Sequence, residues 1–467
     1  MRLRSRQWWQ IFGLGVLLLA IVVVVFNIDV VQLLFPRAGG VPANIVVDTQ
    51  GVLGTLPTPW KNLAQGGEEA RRMLQDVVPQ MRALEPEYVR IDHVYDFYQV
   101  VGRDESGALT FDWSRLDPVV SDILAAGATP FLSLSYMPAV LSSGDTVAPP
   151  KDYSEWSVVV SRTVSHFSGT GGRNIPNVYY EVWNEPDLFG GWRTYGDRNY
   201  ISLYAAAVSG AEGVSKVQPF KIGGPATTGL YKNWFDKLLE YTSQNNIRLD
   251  FFSWHRYSTD PGVFWQDVED ARAWAQAFPQ RQLDLEFIVS EWGHNSENDG
   301  GYDGMYGAAH TMAVAMEMVN RIDRGFVFEV QDGADPSGKQ FWGRWGLLTH
   351  ENQGVVAKPR YQALNWLNTV PDNRLSLTGK GTWVKAMAGE KGGEVQVLLV
   401  NFDPRAQHTE TVPVTFTNLQ EQQFEVTEAF LRGQTKVTAV ATTAAELRYD
   451  VFMPVNSMVR LVLSPSP

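Results

Sequence analysis

The sequence predicts a (β/α)8 TIM barrel followed by an all-β, sandwich-like C-terminal domain and preceded by an N-terminal transmembrane helix. Three observations lead there. From Asn44 to about Val370 short apolar strand candidates alternate with amphipathic helix candidates, the pattern of repeated βα units around a parallel sheet. After Asn373 apolar residues recur at period two between turn-forming residues. Near the start, Ile11 to Phe26 runs without a charge. The 467 residues divide accordingly into a cytoplasmic stub, anchor and tether over 1–40, a barrel over 41–371 and a β domain over 372–467.

Arg2, Arg4 and Arg6 precede Trp8 and Trp9, which suit the membrane interface, and the uncharged run behind them is slightly short for a span. Val30 to Phe35, beyond Asn27 and Asp29, lengthens it enough to cross with tilt or local thinning of the bilayer. A cleaved secretory signal is the alternative, with Ala38-Gly39-Gly40 or Val41-Pro42-Ala43 as its small-residue site. In both cases the positive-inside rule places everything after about residue 36 outside the cytoplasm. With the anchor retained, the protein is single-pass with a cytoplasmic N-terminus.

The barrel strand candidates are Ile45 to Asp48, Tyr88 to Asp92, Thr129 to Leu134, Val178 to Trp183, Phe220 to Gly223, Phe251 to Trp254, Phe287 to Ser290 and Gly325 to Val330. Helix candidates between them include Glu68 to Leu84, Leu116 to Ala126, Tyr153 to Phe167, Tyr200 to Val217 and Tyr302 to Arg321, and Pro359 to Thr369 closes the set. An open, doubly wound sheet alternates in the same way. Two acids favour closure: Glu185 follows the fourth strand and Glu291 the seventh, and a barrel brings those strand ends to one pit. The β domain begins past Pro371-Asp372-Asn373, with runs such as Val395 to Val400 and Val412 to Phe416.

A net charge of −12 opposes nucleic-acid binding, which needs clustered Lys and Arg, and after position 6 no such block occurs. Cysteine is absent, which removes disulfides, thiol catalysis, Cys-ligated zinc and a lipid-modified N-terminal Cys. The 7 His are scattered, without a His-Glu-x-x-His helix or a paired acid cluster at ligand spacing, so neither metal nor cofactor is expected. Gly169-Thr170-Gly171-Gly172 lacks a following Lys-Ser/Thr and reads as a turn, not a phosphate loop. The 16 Trp and 17 Tyr suit a core and equally suit the apolar faces of sugars. Oligomeric state is not legible.

Trp183-Asn184-Glu185-Pro186 closes the apolar run Val178-Tyr179-Tyr180-Glu181-Val182, and Glu291-Trp292-Gly293 closes Phe287-Ile288-Val289-Ser290. Cleavage of a glycosidic bond with retention needs such a pair: a protonated acid for the leaving oxygen, and an ionised carboxylate about 5 to 5.5 Å away to attack the anomeric carbon. Glu185 fits the acid/base, its pKa held up by aromatic walls such as Trp183 and by repulsion from the second carboxylate. Glu291 fits the nucleophile. Asn184 is suited to hydrogen-bond the sugar 2-hydroxyl, a contact that tightens in the transition state. The structural alternative for either acid is a salt bridge.

Further stretches carry a resemblance. With Tyr88-Val89-Arg90, the run Thr129 to Leu134 leading into Ser135-Tyr136-Met137-Pro138, Gly223-Gly224-Pro225-Ala226, Ser253-Trp254-His255-Arg256-Tyr257, Ser290-Glu291-Trp292 and Phe341 to Leu348, the chain resembles the retaining (β/α)8 glycosidases of clan A. Within that clan it is most similar to glycoside hydrolase family 39, over about Ile45 to Leu367. The resemblance implies Glu185 as acid/base, Glu291 as nucleophile and Asn184 as the 2-hydroxyl contact. It places His255 and Tyr257 near the nucleophile, with Tyr257 orienting Glu291, and makes Asn184, Arg90, His255, Tyr257, Trp292 and Asp92 the expected substrate-binding residues. Arg90 either holds Glu291 ionised or closes an internal ion pair. Asp92 and His93 stand where many members carry His and Gly, and both are candidates for lining the sugar pocket.

Departures limit what carries over. Ser133 replaces an acidic residue expected on the third strand, and Phe328 stands about where a Trp would end the eighth, next to Glu329 and Asp332. The xylosidase or iduronidase specificity of some relatives is therefore not transferred. Phe189-Gly190-Gly191-Trp192 is either a stacking platform on the leaving-group side or packing against the next helix. The expected function is a membrane-tethered, extracytoplasmic retaining glycoside hydrolase that cleaves an envelope or extracellular polysaccharide by double displacement. A glycan-binding barrel without catalysis and a transglycosylase are the alternatives.

Overall fold

A computed structural model of the chain describes residues 40–280, 285–420, 423–442 and 444–466. The expected transmembrane helix falls within 1–39, outside the described residues; among those described, no helix is long and apolar enough to cross a membrane.

After β1 (Ile45–Thr55), the barrel opens with β2 (Asn62–Gln65), α1 (Val78–Ala83) and β3 (Tyr88–Ile91). A small hairpin, β4 (Val101–Arg103) and β5 (Leu109–Phe111), precedes α2 (Leu116–Ala125) and β6 (Thr129–Leu134). Then come α3 (Tyr153–Phe167), β7 (Val178–Val182), α4 (Tyr200–Glu212), β8 (Phe220–Thr227), α5 (Lys232–Gln244) and β9 (Phe251–Tyr257). The last units are α6 (Pro261–Ala275), β10 (Glu286–Gly293), α7 (Met305–Met318), β11 (Arg324–Phe328) and α8 (Pro359–Leu367). Strands β2, β3, β6, β7, β8, β9, β10 and β11 close a barrel in chain order, each pair parallel.

The sequence folds this way for local reasons. In α3 the buried residues Trp156, Val159, Val160, Thr163, Val164 and Phe167 fall at helical spacing, and the Asp152 side chain caps the start by accepting from the Ser154 amide. All five residues of β7 are buried, as a strand covered on both faces requires. Phe131, Tyr179, Phe251, Ile288 and Phe326 point inward and fill the barrel below its mouth. The rings of Phe131 and Phe326 lie 4.6 Å apart. Inward side chains above this plug, at the C-terminal strand ends, are left to form a site.

Two expectations need correction. The strand predicted at Ile45 to Asp48 exists, but it does not join the barrel. β1 pairs antiparallel with β12 (Asn373–Thr378) and parallel with β15 (Glu410–Thr417). Ile45 and Val47 are buried while Val46 and Asp48 are half exposed, the alternation of a strand with one covered face. The first barrel strand is instead β2, disguised by buried polar ends: Asn62 donates to the Pro59 carbonyl, and Gln65 donates to Glu329. The helix predicted over Glu68 to Leu84 is confined to Val78–Ala83 after a single 3-10 turn. Pro79, lacking an amide hydrogen, is tolerated in a first helical turn and not in a helix interior.

The C-terminal domain adds β13 (Val384–Lys391), β14 (Glu394–Asn401), β16 (Gln423–Phe430), β17 (Thr435–Ala441), β18 (Glu446–Met453) and β19 (Ser457–Pro465). Its nine-stranded sheet runs β17-β16-β19-β14-β13-β12-β1-β15-β18, so the N-terminal β1 is an interior strand. Ile45, Val47, Val397, Val414, Phe416 and Leu461 share its apolar core.

Candidate active site

Glu185 and Glu291 come together at the C-terminal mouth of the barrel. Beyond β7 the backbone of Trp183 and Glu185 is left-handed, at φ 76° and 46°. Such values are uncommon for residues other than glycine, and they break the strict alternation of a strand. Trp183 turns outward among Trp156, Trp192 and Tyr136, at ring distances of 6.5, 5.2 and 5.4 Å. Asn184 and Glu185, although consecutive, both reach the site. The turn is fixed by the Ser133 hydroxyl, which donates to the Trp183 carbonyl (2.8 Å), and by the Glu185 amide, which donates to Ala226 (2.9 Å).

Arg90, wholly buried on β3, organises the polar layer. Its Nη1 donates to Oε1 of Glu291, its Nη2 to Oδ1 of Asn184 and its Nε to Oε2 of Glu181, each at 2.7 Å. Arg90 thus bonds the Glu291 carboxylate and also closes an internal ion pair with Glu181. Burial opposes its charge, but Glu181, Glu291 and Asp92 outweigh that and raise its pKa. Asn184 is fixed at both ends, its Nδ2 donating to the Tyr136 hydroxyl at 2.9 Å.

In β10 the register slips between Val289 and Glu291, a bulge that sets Glu291 opposite His255 of β9. His255 Nδ1 lies 2.8 Å from a Glu185 oxygen and 3.4 Å from a Glu291 oxygen. The Tyr257 hydroxyl donates to the same Glu291 oxygen at 3.0 Å. Burial and Glu291 push its pKa well up, so the hydroxyl keeps the proton it donates. One oxygen of Glu185, one ring nitrogen of His255 and one oxygen of Glu291 all fall within 4.8 Å of one another. That closeness suits the retaining geometry of about 5 to 5.5 Å and not the roughly 6.5 to 9.5 Å that leaves room for an inverting water.

Burial raises the Glu291 pKa, with Glu185 and Asp92 adding to it and with His255 and Arg90 opposing. Burial lowers that of His255, but Glu291 and the bond to Glu185 outweigh it and leave it raised. Three such ligand atoms could in principle hold a metal ion. The Arg90 guanidinium, already bonded to Glu291, opposes a second cation there.

The other predicted residues divide. Asp92 is buried, its pKa raised by burial, and its Oδ1 has no hydrogen-bond partner among the described residues. Its neighbour His93 bonds to Asp96 at 2.8 Å and stacks on Phe97 at 3.9 Å. Trp292, expected among the substrate-binding residues, is instead wholly buried and packs outward against Phe264 and His310. The residue after an inward Glu291 in a strand faces the other way. Phe189 and Trp192 part company. Trp192 is wholly buried and donates to the Val147 carbonyl, whereas Phe189 is 42% exposed.

Sequence reasoning missed three groups. Glu181 is the first, although an acid inside an apolar strand already asks for a buried cation, here Arg90. Tyr136, which positions Asn184, carries no signal of its own. Glu329, at the end of β11, is wholly buried and accepts from Gln65 at 2.8 Å. Burial, with Glu68 and Asp332, raises its pKa well above the usual carboxylate range. Beside it, Phe328 meets the Tyr257 ring at 6.4 Å and the Trp345 ring at 5.5 Å, closing one wall of the pit.

Known proteins share this plan. The family model of glycosyl hydrolases family 39 matches residues 45–382. A β-xylosidase of Caldicellulosiruptor saccharolyticus is 26% identical over 348 residues, covering 68% of this chain and 69% of that protein. Among solved structures, a monomeric β-xylosidase from Caulobacter crescentus superposes with a TM-score of 0.75 at 18% identity, over 91% of this chain and 100% of the other. The family 39 enzyme from Xanthomonas axonopodis pv. citri gives 0.75 at 20% identity, over 92% and 99%. With the family match spanning the barrel and two glutamates facing each other at its mouth, the chain belongs to glycosyl hydrolases family 39 and is a retaining glycoside hydrolase.

Proposed function

We propose that the protein is a membrane-tethered, extracytoplasmic glycosidase that cleaves β-linked, xyloside-like bonds in an envelope or extracellular polysaccharide by double displacement. Glu185 protonates the bridging oxygen while Glu291 attacks the anomeric carbon, and the leaving sugar departs. Glu185, now ionised, takes a proton from water as that water opens the glycosyl ester. Arg90 and Tyr257 hold the attacking oxygens of Glu291, Asn184 meets the 2-hydroxyl, and His255 couples the two acids. The observation that carries this reading is the approach of the Glu185 and Glu291 oxygens to within 4.8 Å. The xyloside preference draws support from the β-xylosidase relatives. The tether draws support from the three arginines and the uncharged run that follows them.

The test uses the full chain in membranes and the soluble fragment from residue 40, screened against aryl glycosides and soluble polysaccharides. Wild type should cleave β-xylosides, and Glu185→Gln and Glu291→Gln should not. A 2-fluoro glycoside should label Glu291. Cleavage surviving both substitutions sinks the mechanism, and a chain shielded from protease added outside spheroplasts sinks the tether.

A further inference from the structure

Among the described residues of the barrel, the aromatic side chains most open to solvent are Phe189, Tyr195, Tyr231 and Phe341. All four lie in segments that follow barrel strands β7, β8 and β11, on the face that carries the glutamates. Single exposed apolar residues need no explanation, but a set confined to the mouth of a site does.

Two of the four are fastened to the Glu185 turn. The Phe189 amide donates to the Glu185 carbonyl at 2.8 Å, and its ring meets that of Tyr136 edge-on at 6.0 Å. Gly190 follows at φ 91°, where an added Cβ would lie 2.2 Å from the Val147 carbonyl oxygen, so the chain turns tightly there and fixes Phe189. Tyr231, 41% exposed, sets its hydroxyl 2.9 Å from Oγ1 of Thr228. Thr228 in turn binds Asp187 through its hydroxyl and through its amide (3.0 Å), two residues beyond Glu185. Both rings are thus held in place without being buried.

Position decides what they would meet. Glu185 protonates the bridging oxygen, and the two loops are bonded to the Glu185 carbonyl and to Asp187 just beyond it, so the departing group is the part of the substrate next to them. Pyranose rings present an apolar C–H face that packs on aromatic surfaces.

We propose that Phe189 and Tyr231 form an acceptor platform that grips the sugar ring leaving with the cleaved bond. Its ligand is a neutral pyranose unit of an oligo- or polysaccharide. The same platform receives a sugar that attacks the glycosyl-enzyme in place of water. The acceptor hydroxyl oxygen bonds to the anomeric carbon, the ester bond to Glu291 breaks, and the acceptor proton passes to ionised Glu185. The proposal rests on Glu185 as acid/base, and it makes the enzyme prefer saccharide leaving groups to small ones.

The experiment compares β-glycosyl fluorides of xylose, glucose and galactose, whose leaving group cannot reach the platform, with the β-1,4-linked disaccharide of each sugar. Phe189→Ala and Tyr231→Ala should lower kcat/KM on the disaccharide about tenfold, chiefly through KM, the scale of one lost aromatic contact. They should leave fluoride turnover unchanged, and Phe189→Trp and Tyr231→Phe should restore the wild-type ratio. Equal losses on both substrates, no loss on either, or a wild type that cleaves only fluorides would each overturn the platform. A wild type that turns over no fluoride would instead remove the catalytic pair beneath it.

Discussion

Nη1 of Arg90 lies 2.7 Å from Oε1 of Glu291, and the guanidinium making this contact is entirely shut off from solvent. Because its other nitrogens hold Asn184 and Glu181, one buried charge sets the nucleophile, the 2-hydroxyl contact and a structural acid together. Arginine suits this task because its planar fork presents several donors in fixed directions, which a lysine cannot copy.

Arg90→Lys should therefore leave at least one buried carboxylate unpaired and lower stability by about 3 to 5 kcal/mol. The kcat/KM should fall at least as far as on loss of Glu185. Adding Glu181→Gln should recover part of the stability and none of the activity. Urea unfolding alongside steady-state kinetics checks this, and a single variant with unchanged values on both counts would refute it.

Asn184→Ala should lower kcat/KM by several kcal/mol in transition-state terms on ordinary glycosides. On 2-deoxy glycosides the same substitution should matter far less. The comparison forms a double-mutant cycle between side chain and hydroxyl. Additive effects would show that Asn184 acts only by bracing Arg90 and Tyr136.

Glu329 should make the wild type less stable as pH rises. Its folded pKa is raised by burial, so the folded state binds a proton that the unfolded chain has already released. That stability is present below the unfolded value and is lost as pH climbs through the folded one. His255, also raised, adds a slope of the same sign from about pH 6.5 upward. Glu329→Gln keeps the shape and removes the first slope, so it should match wild type near pH 4 and exceed it near pH 8. Denaturant midpoints at several pH values decide it; a variant that loses stability faster than wild type on going alkaline has the opposite sign.

A fragment beginning at residue 40 should fold, whereas one beginning at Leu56 should not form a stable C-terminal sheet. It would lack the strand between β12 and β15 and expose Val414 and Phe416, which share a core with Ile45 and Val47. Size-exclusion chromatography should show it aggregated. A monomeric, cooperatively melting fragment would contradict the role assigned to β1.

Much of this was legible in the residues. Eight alternations predicted the barrel because the strands covered on both faces read as apolar runs, and the glutamates stood out because each ends such a run. His255 and Tyr257 followed only from the resemblance of Ser253-Trp254-His255-Arg256-Tyr257 to the family's sixth strand, and both stand against Glu291. Trp292 came with the same resemblance, as part of Ser290-Glu291-Trp292, but strand alternation turns it away from the pit and into the packing against Phe264. β1 was placed in the wrong sheet because a short strand looks alike in both, and only the burial of every second residue tells them apart. The inward turn of both Asn184 and Glu185 depends on left-handed backbone at two residues whose types do not favour it, and nothing local announces that.

The placement of β1 also bears on how the chain is made. Val46 pairs with Thr415, about 370 residues later, so at roughly 5 to 20 residues per second the strand waits some 20 to 75 s for its partner to leave the ribosome. Until then Ile45 and Val47 have no core to enter, although the barrel can already be complete. A newly made chain whose barrel closes first would carry β1 as an unpaired apolar segment until β15 emerges, and chaperones that clasp such segments would find their substrate there.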